Sequence, residues 1–318
     1  RALPNVSIFN PNNPTGYNLA PGANALGPGN NLRIIDDNYT NIAFVLDNNR
    51  YQSDQYRILN NTFLEFNLAK GLKLRSQLGI DYYTDNSQQI LDPRHGDGFS
   101  SNGVMYQGQQ NIMNVNTQTY LNYNFSVDKS NFYLTAGHEL QQTTNRFFAS
   151  YVITISDFFY LKENIITNTA FTPSISGNYS KSAIESYFAR ANYDYKGKYY
   201  AQASIRTDGQ SSLAQGKRYG TFPGFSVGWR PVAEGFWQKN AFLSKNVSDM
   251  KIRASYAVVG NRLGGFPYLS TYGSRPYGNV GGLAVAVVGN PDLQWEQSQK
   301  YDIGLDLSLV KNRVNFIF

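Results

Sequence analysis

The chain has 318 residues, 16% of them charged and 15% aromatic, with 24 Tyr, 20 Phe and a formal net charge of +6. It contains no cysteine, which excludes disulfide frameworks, thiolate metal sites and cysteine nucleophiles. The longest aliphatic run, LAVAVV at 283–288, falls far short of the about 20 apolar residues of a membrane-spanning helix. The basic residues are scattered or sit at short turns, which argues against a nucleic-acid interface and its clustered cations.

Residues 1–50 are rich in Asn, Pro and Gly and predict a long loop, with a short strand at IAFVLD, 42–47. The opening RALPNVSIFN has no apolar core of a signal peptide, and the abrupt start and end are those expected of a piece of something larger. From about residue 56 the pattern becomes strict alternation. Tyr56, Ile58, Thr62, Leu64, Phe66 and Leu68 alternate with Arg57, Asn61, Glu65 and Asn67; AKG turns the chain; Leu72, Leu74, Leu78 and Ile80 then alternate with Lys73, Arg75, Gln77 and Asp81. A polar loop is expected to about 109. A second pair follows, with Leu121, Tyr123, Phe125 and Val127 on one face before DKSN, then Phe132, Leu134, Ala136, His138 and Leu140.

After a long segment at 148–182, Tyr187, Ala189, Ala191, Tyr193 and Tyr195 alternate with Ser186, Phe188, Arg190, Asn192 and Asp194. KGK turns this strand into Tyr199, Ala201, Ala203 and Ile205. The alternation resumes at Phe225, Val227 and Trp229, passes a possible short helix in VAEGFWQ, and returns at Met250, Ile252, Ala254 and Tyr256. A Gly-rich loop reaches about 292, and Tyr301, Ile303, Leu305, Leu307 and Leu309 form a further strand before KNR and a last strand.

About ten strands are expected, several longer than the usual 5–6 residues. Short turns alternate with long loops, and Lys or Arg marks the short-turn rim at Lys70, Lys129, Lys196, Lys198, Lys311 and Arg313. A soluble sandwich buries its apolar face under a second sheet. A transmembrane antiparallel β-barrel needs about 9–11 residues per strand, turns its apolar face to lipid and its polar face to a wet lumen, and has short periplasmic turns with longer outer loops. The alternation favours the barrel, all-β, with Leu305 and Ile252 on the lipid face and Arg253, Asp306 and Arg206 on the lumen face. Tyr193, Tyr195 and Tyr199 beside a short turn suit a membrane interface.

Other motifs are weaker. GFSVG at 224–228 matches the nucleophile-elbow pattern, but Ser226 sits inside strand alternation rather than at a strand-to-helix turn. GQSSLAQGKR lacks phosphate-loop spacing. His138 lies on an apolar face as a packing or interface residue. Asp92, His95 and Asp97 have cation-ligand chemistry, though a flexible polar loop explains them better. Asp81, Asp194, Asp208, Asp302 and Asp306 read as solvated lumen carboxylates rather than a glycosidase pair. No catalytic, cofactor or metal residue is expected.

Three blocks in the second half resemble the SusC/RagA-type TonB-dependent transporters of Bacteroidota outer membranes: SYFARANYDYKGKYYAQASIRTDGQSS through RYGTFPGFSVGWRP, MKIRASYAVVGN, and NPDLQWEQSQKYDIGLDLSLVKNRV. RALPNV and YRILNNTFLEFNLAKGLKLRSQLGIDY are similar to upstream segments of that family. The resemblance implies that 1–318 are part of one barrel domain of about 22 strands. Residues 1–50 would be a long extracellular loop, 51–318 strand hairpins, and the plug would lie outside the chain.

It further implies import of oligosaccharides or peptides at the bacterial outer membrane, energised by TonB through the plug, with a SusD-like surface lipoprotein as lid. Two alternatives stay open: a non-transporting barrel acting as a scaffold, and a secreted carbohydrate-active β-sandwich. Gln210 and Leu213 depart from the family's usual residues, and Asp208–Gly209 reads as a rim turn whose glycine takes a positive φ. Tyr83, Arg206 and Asp208 approach the long-loop rim from the lumen side and are the candidates for contact with cargo.

Overall fold

The computed structural model describes residues 5–29, 39–157, 163, 165–169 and 171–318. The parts of the expected loops at 1–4, 30–38, 158–162, 164 and 170 lie outside the described residues. In chain order the strands are β1 (Arg50–Ala69), β2 (Leu72–Leu91), β3 (Val104–Val127), β4 (Ser130–Ile153), β5 (Ser174–Tyr195), β6 (Tyr199–Gln210), β7 (Tyr219–Trp229), β8 (Val247–Asn261), β9 (Thr271–Ser274), β10 (Leu283–Val287), β11 (Glu296–Leu309) and β12 (Val314–Ile317). Ten of them form one antiparallel sheet in the order β1-β2-β3-β4-β5-β6-β7-β8-β11-β12, while β9 and β10 pair separately. Strands β1 to β8 thus each lie beside their sequence neighbour, and β11 joins β8 across the long connection that holds β9 and β10.

The register carries the two-faced pattern from strand to strand. Asn192 lies opposite Gln202, Gln202 opposite Ser226, Ser226 opposite Ser255 and Ser255 opposite Asp302. One residue away, Ala191, Ala203, Phe225, Tyr256 and Tyr301 form a parallel row. Because side chains alternate with period 2, a slip of one residue would exchange the two rows throughout. Ile252 faces Leu305, Lys251 faces Asp306, and Arg253 reaches Asp306 at 3.3 Å, as the alternation predicts. The faces differ in exposure: Phe225 is 55% exposed and Tyr301 72%, whereas Phe222 on the polar face is 9%. So wide an apolar surface left uncovered is what lipid contact requires and what a sandwich would bury.

The short turns are built for tight reversal. Lys196 and Gly197 both have positive φ (54° and 64°), the two-residue geometry whose twist matches antiparallel strands. Lys198 donates its N–H to the Tyr195 carbonyl at 2.9 Å across this turn. Above the turns the outer face carries an aromatic belt: Tyr123 stacks on Phe125 at 4.9 Å, Phe125 on Phe132 at 4.8 Å, and Phe132 meets Tyr193 at 5.1 Å. The connection after β7 contains the expected helix, α2 (Gly235–Lys239), followed by α3 (Ala241–Asn246), which is capped by the Asn240 side chain.

The chain divides into two compact units. The first comprises Arg1–Ile58, Asp81–Met113 and Thr144–Lys181; the second comprises Leu59–Ile80, Asn114–Thr143 and Ser182–Phe318. The first has a small core of Ile90, Met105, Val152 and Ile155, with Ile166 packed on it. In it the segment expected as a strand at 42–47 is a helix, α1 (Ile42–Asn48), correcting the β-propensity argument. Asn41 accepts the Phe44 N–H as N-cap, and Phe44 is fully buried against Tyr17 and His95, so tertiary packing overrides local preference.

The loop expected from about 84 is also shorter than predicted. The strand runs to Leu91 and the next begins at Val104, because polar residues find cross-strand partners: Ser53 donates to Asp85 at 2.8 Å and Gln88 to Gln52 at 3.0 Å. Strands β4 and β5 likewise extend into the segment expected to be loop at 148–182, and LAVAVV supplies β10 inside the Gly-rich loop.

Opposite outcomes are expected from neighbouring substitutions in β7. Phe225→Arg should destabilise the intact receptor by about 2–4 kcal/mol at the bilayer midplane, whereas Ser226→Ala, one residue on and facing inward, should change stability by less than about 0.5 kcal/mol. Equilibrium unfolding in lipid vesicles measures both; equal costs would refute the assignment of faces.

Candidate functional site

Arg206 is the centre of a polar network on the inner face of the second unit. It sits on β6 opposite Phe188 on one side and Phe222 on the other. Its Nε donates to Asp208 at 2.7 Å, and its terminal nitrogen donates to Glu139 at 2.9 Å and to Ser186 at 2.8 Å. The guanidinium also lies 5.8 Å from the Phe188 ring. Asn116 donates to the other oxygen of Glu139 at 3.1 Å. Ser186 is 1% exposed, so its hydroxyl is committed to Arg206, while the Arg206 side chain remains 41% exposed. The result is a cation held rigidly by two carboxylates with one nitrogen left unbonded among the described residues.

Two anchors beside this network hold the long 262–295 segment. The Gln210 amide, 4% exposed, clamps Leu263: its nitrogen donates to the Leu263 carbonyl and its oxygen accepts the Leu263 N–H at 3.4 Å. Arg262 donates to Gln141 at 2.9 Å. At the far end, the Trp295 indole donates to the Arg218 carbonyl at 2.7 Å and packs edge-on to Phe222 at 5.3 Å. A Cβ on Gly260 would stand 3.0 Å from the Trp295 ring and closer still to Phe222, so glycine is what admits the aromatic pair. Leu213, in the loop after β6, is fully buried. The two departures from the family pattern, Gln210 and Leu213, are thus both structural here.

Asp208–Gly209 is not a turn. Both residues lie inside β6, opposite Gly220 and Tyr219, and Gly209 is not among the residues with positive φ. The requirement for glycine is instead close approach, since a Cβ there would sit 2.5 Å from the Tyr219 ring. On the outer face nearby, Glu185 accepts from the Tyr187 and Tyr219 hydroxyls, each at 2.9 Å, and stands 2.9 Å from His138 Nε2. His138 packs on the Tyr187 ring at 4.9 Å, with a carboxylate partner that alternation alone did not reveal.

Of the three candidate contact residues, the structure brings Arg206 and Asp208 together and places Tyr83 in the first unit. There the Tyr83 hydroxyl reaches Asp85 at 3.4 Å, and Asp85 also accepts from Ser53 and from Ser87 at 2.9 Å. Arg57 forms a bidentate pair with Asp81, both contacts at 2.8 Å. Sequence reasoning missed Glu139, Asn116 and Ser186. Their only signal was polar parity on the inner face, shared with many residues that touch nothing of note.

The Asp92–His95–Asp97 loop is neither a cation site nor a loose polar loop. Asp92 and His95 are both fully buried. Arg94 grips Asp92 at 2.9 and 2.7 Å, and His95 Nε2 accepts the Asn41 N–H at 2.7 Å. Gly96 N–H is received by Asn24. No group of three or more potential ligands gathers anywhere among the described residues. Burial lowers the His95 pKa, because the charged ring would lose its water. As an acceptor at Nε2 the ring is assigned as the neutral Nδ1–H tautomer. Ser226 faces Gln202 and Ser255 in mid-strand, with no helix following it, so the nucleophile geometry is not formed.

A ten-stranded sheet with a lipid-type outer face, aromatic belt and polar inner network defines a segment of an outer-membrane β-barrel. The chain belongs to the TonB dependent receptor-like β-barrel family, whose profile matches residues 3–316. It is 29% identical to TonB-dependent receptor P39 of Formosa agariphila over 279 residues, 85% of this chain and 25% of that protein. It is 24% identical to TonB-dependent receptor SusC of Bacteroides thetaiotaomicron over 289 residues, 86% of this chain and 27% of that protein. The solved RagAB peptide transporter superposes with a TM-score of 0.77 at 21% identity, covering 92% of this chain and 32% of that one. The chain spans about a quarter of the length of the curated relatives it matches.

The buried histidine generates a pH prediction. A lowered folded-state pKa means that the unfolded loop binds the proton more readily, so His95 contributes no penalty above the unfolded value of about 6.5 and a growing one as pH falls below it. Hydrogen exchange at the Asn41 amide should therefore accelerate as pH falls from about 7 toward 5 relative to the intrinsic rate. His95→Gln, which keeps an acceptor, should abolish that dependence. Protection that is flat with pH in the wild type would contradict the assignment.

Proposed function

We propose that this chain is part of the barrel of a SusC/RagA-type importer that moves oligosaccharides or peptides across the outer membrane. In the intact receptor TonB would act through a plug, and a SusD-like lipoprotein would cap the long-loop rim. The observation that carries this reading is the Arg206 network beside the anchored 262–295 segment: a rigid, half-exposed cation and hydrogen-bonding residues on the polar face, next to long loops of Tyr, Asn and Arg. Loops fixed on a rigid scaffold are where recognition concentrates, and a guanidinium with a free nitrogen suits a carbonyl or hydroxyl oxygen of cargo. The likeness to SusC and to a peptide transporter supports a polymer fragment as cargo. Tyr83 and Asp208 remain proposed contacts on the same grounds, Asp208 by orienting Arg206.

Two experiments on the intact receptor separate this from a scaffold role. Deleting 265–290 leaves both anchors, Leu263 and Trp295, in place and should abolish lid association or cargo uptake while the protein still assembles in the membrane. Arg206→Gln should weaken apparent cargo affinity about tenfold, the loss expected for one hydrogen bond to a charged group. Uptake at wild-type level in both variants would leave only the scaffold.

A further inference from the structure

The outer face carries a trough of about 760 Å³ that the transport reading does not use. Ala189, Ala191 and Ala203 lie along it on β5 and β6, with Leu121 and Leu134 on the strands to one side and Phe225 on β7 to the other. A lipid-facing wall has no need of small residues, because fluid acyl chains fill any contour; a run of alanines between bulky neighbours makes a fixed channel. Lys70, in the turn between β1 and β2, lines the same trough. Around it, the turns are stitched together: Asn124 N–H donates to the Gly71 carbonyl at 2.8 Å, and Lys196 N–H to the Lys129 carbonyl at 3.0 Å.

Lys70, Lys129 and Lys196 thus line one rim, and none forms an ion pair among the described residues, where the paired lysines are Lys73 and Lys198. The nearby acids do not neutralise the row. Asp194 turns to the polar face and accepts the Gly197 N–H at 2.8 Å, and Asp128 is a single carboxylate in an exposed turn. The β1–β2 turn that carries Lys70 bonds Asn124, between Tyr123 and Phe125 of the aromatic belt that continues through Phe132 to Tyr193, and such amphipathic rings mark the headgroup boundary.

We infer that this rim binds an anionic phospholipid of the periplasmic leaflet, with its phosphate at Lys70 and the neighbouring lysines and one acyl chain along the alanine trough. Short turns of such barrels face the periplasm, so the lipid is drawn from the inner leaflet rather than from lipopolysaccharide. Two independent features converge on one molecule: uncompensated positive charge at headgroup depth and a preformed channel for a chain immediately beside it.

Native mass spectrometry of the intact detergent-purified receptor tests this with phosphatidylglycerol and phosphatidylethanolamine of identical acyl chains. Phosphatidylglycerol should be retained preferentially, and Lys70→Gln and Lys129→Gln should each weaken its retention about fivefold, as expected per basic residue at an anionic surface. Ala191→Leu and Ala203→Leu, which fill the trough with apolar atoms on a lipid-facing wall, should also reduce it. Ala201→Leu, on the same face outside the trough, should not. The heat-dependent electrophoretic shift of a folded barrel confirms assembly of every variant. Equal retention of the two phospholipids, indifference to the lysine and alanine changes, or preferential retention of lipopolysaccharide would each overturn the inference.

Discussion

The constraint on which everything else rests is that a backbone in hydrocarbon has no water to satisfy its N–H and C=O groups. In this chain the answer is a continuous antiparallel ladder, and once one register is set the rest follows. Asn192, Gln202, Ser226, Ser255 and Asp302 fall on one line because each strand is hydrogen-bonded to the next without a slip between them. The same ladder turns Phe225 and Tyr301 outward and Phe222 inward. Between β8 and β11 the register shifts near a strand end, between Ser308 and Leu309, and leaves these rows intact.

That ladder also explains why conspicuous motif residues do structural work. Gly209 and Gly260 are positions where an aromatic ring from an adjacent segment lies on the backbone, Tyr219 over one and Phe222 with Trp295 over the other. Bare backbone in a strand loses packing, and a ring laid across it restores contact while fixing where the ring's own segment leaves the sheet. Through Trp295 and Gln210 the long 262–295 segment is held at both ends, so its interior is free to vary in sequence without disturbing the wall. Arg206 belongs to the same economy: its two carboxylates and the buried Ser186 hydroxyl hold the guanidinium in place on a rigid strand.

The upper part of the first unit follows different physics. Its core of Ile90, Met105, Val152 and Ile155 is small, and order there comes from side chains that bond the backbone: Asn41 to Phe44, His95 to Asn41, Asn24 to Gly96. The last two join residues 54 and 72 positions apart and leave no periodic trace. Asp92 and His95 read as part of a flexible polar loop because polar, charged residues beside glycines have that composition whether they are solvated or buried against one another.

The sequence by itself determined the class of fold, the order of the strands, their faces and the short-turn rim. Period-2 alternation is a local property, and Lys or Gly at the turns is set by backbone geometry at that point. Leu305 beside Ile252, and Arg253 with Asp306 on the other side, were legible for that reason, as was the helix in VAEGFWQ. Only the tertiary structure decided which inner-face residues touch. Parity says that Arg206, Glu139 and Ser186 share a face, but their meeting depends on the offset between β4, β5 and β6. It decided too that 42–47 is a helix, that Gly209 answers to a ring rather than to a turn, and that the strands run far beyond their apolar stretches, because each of these outcomes is fixed by partners remote in sequence whose hydrogen bonds and packing outweigh the local preference.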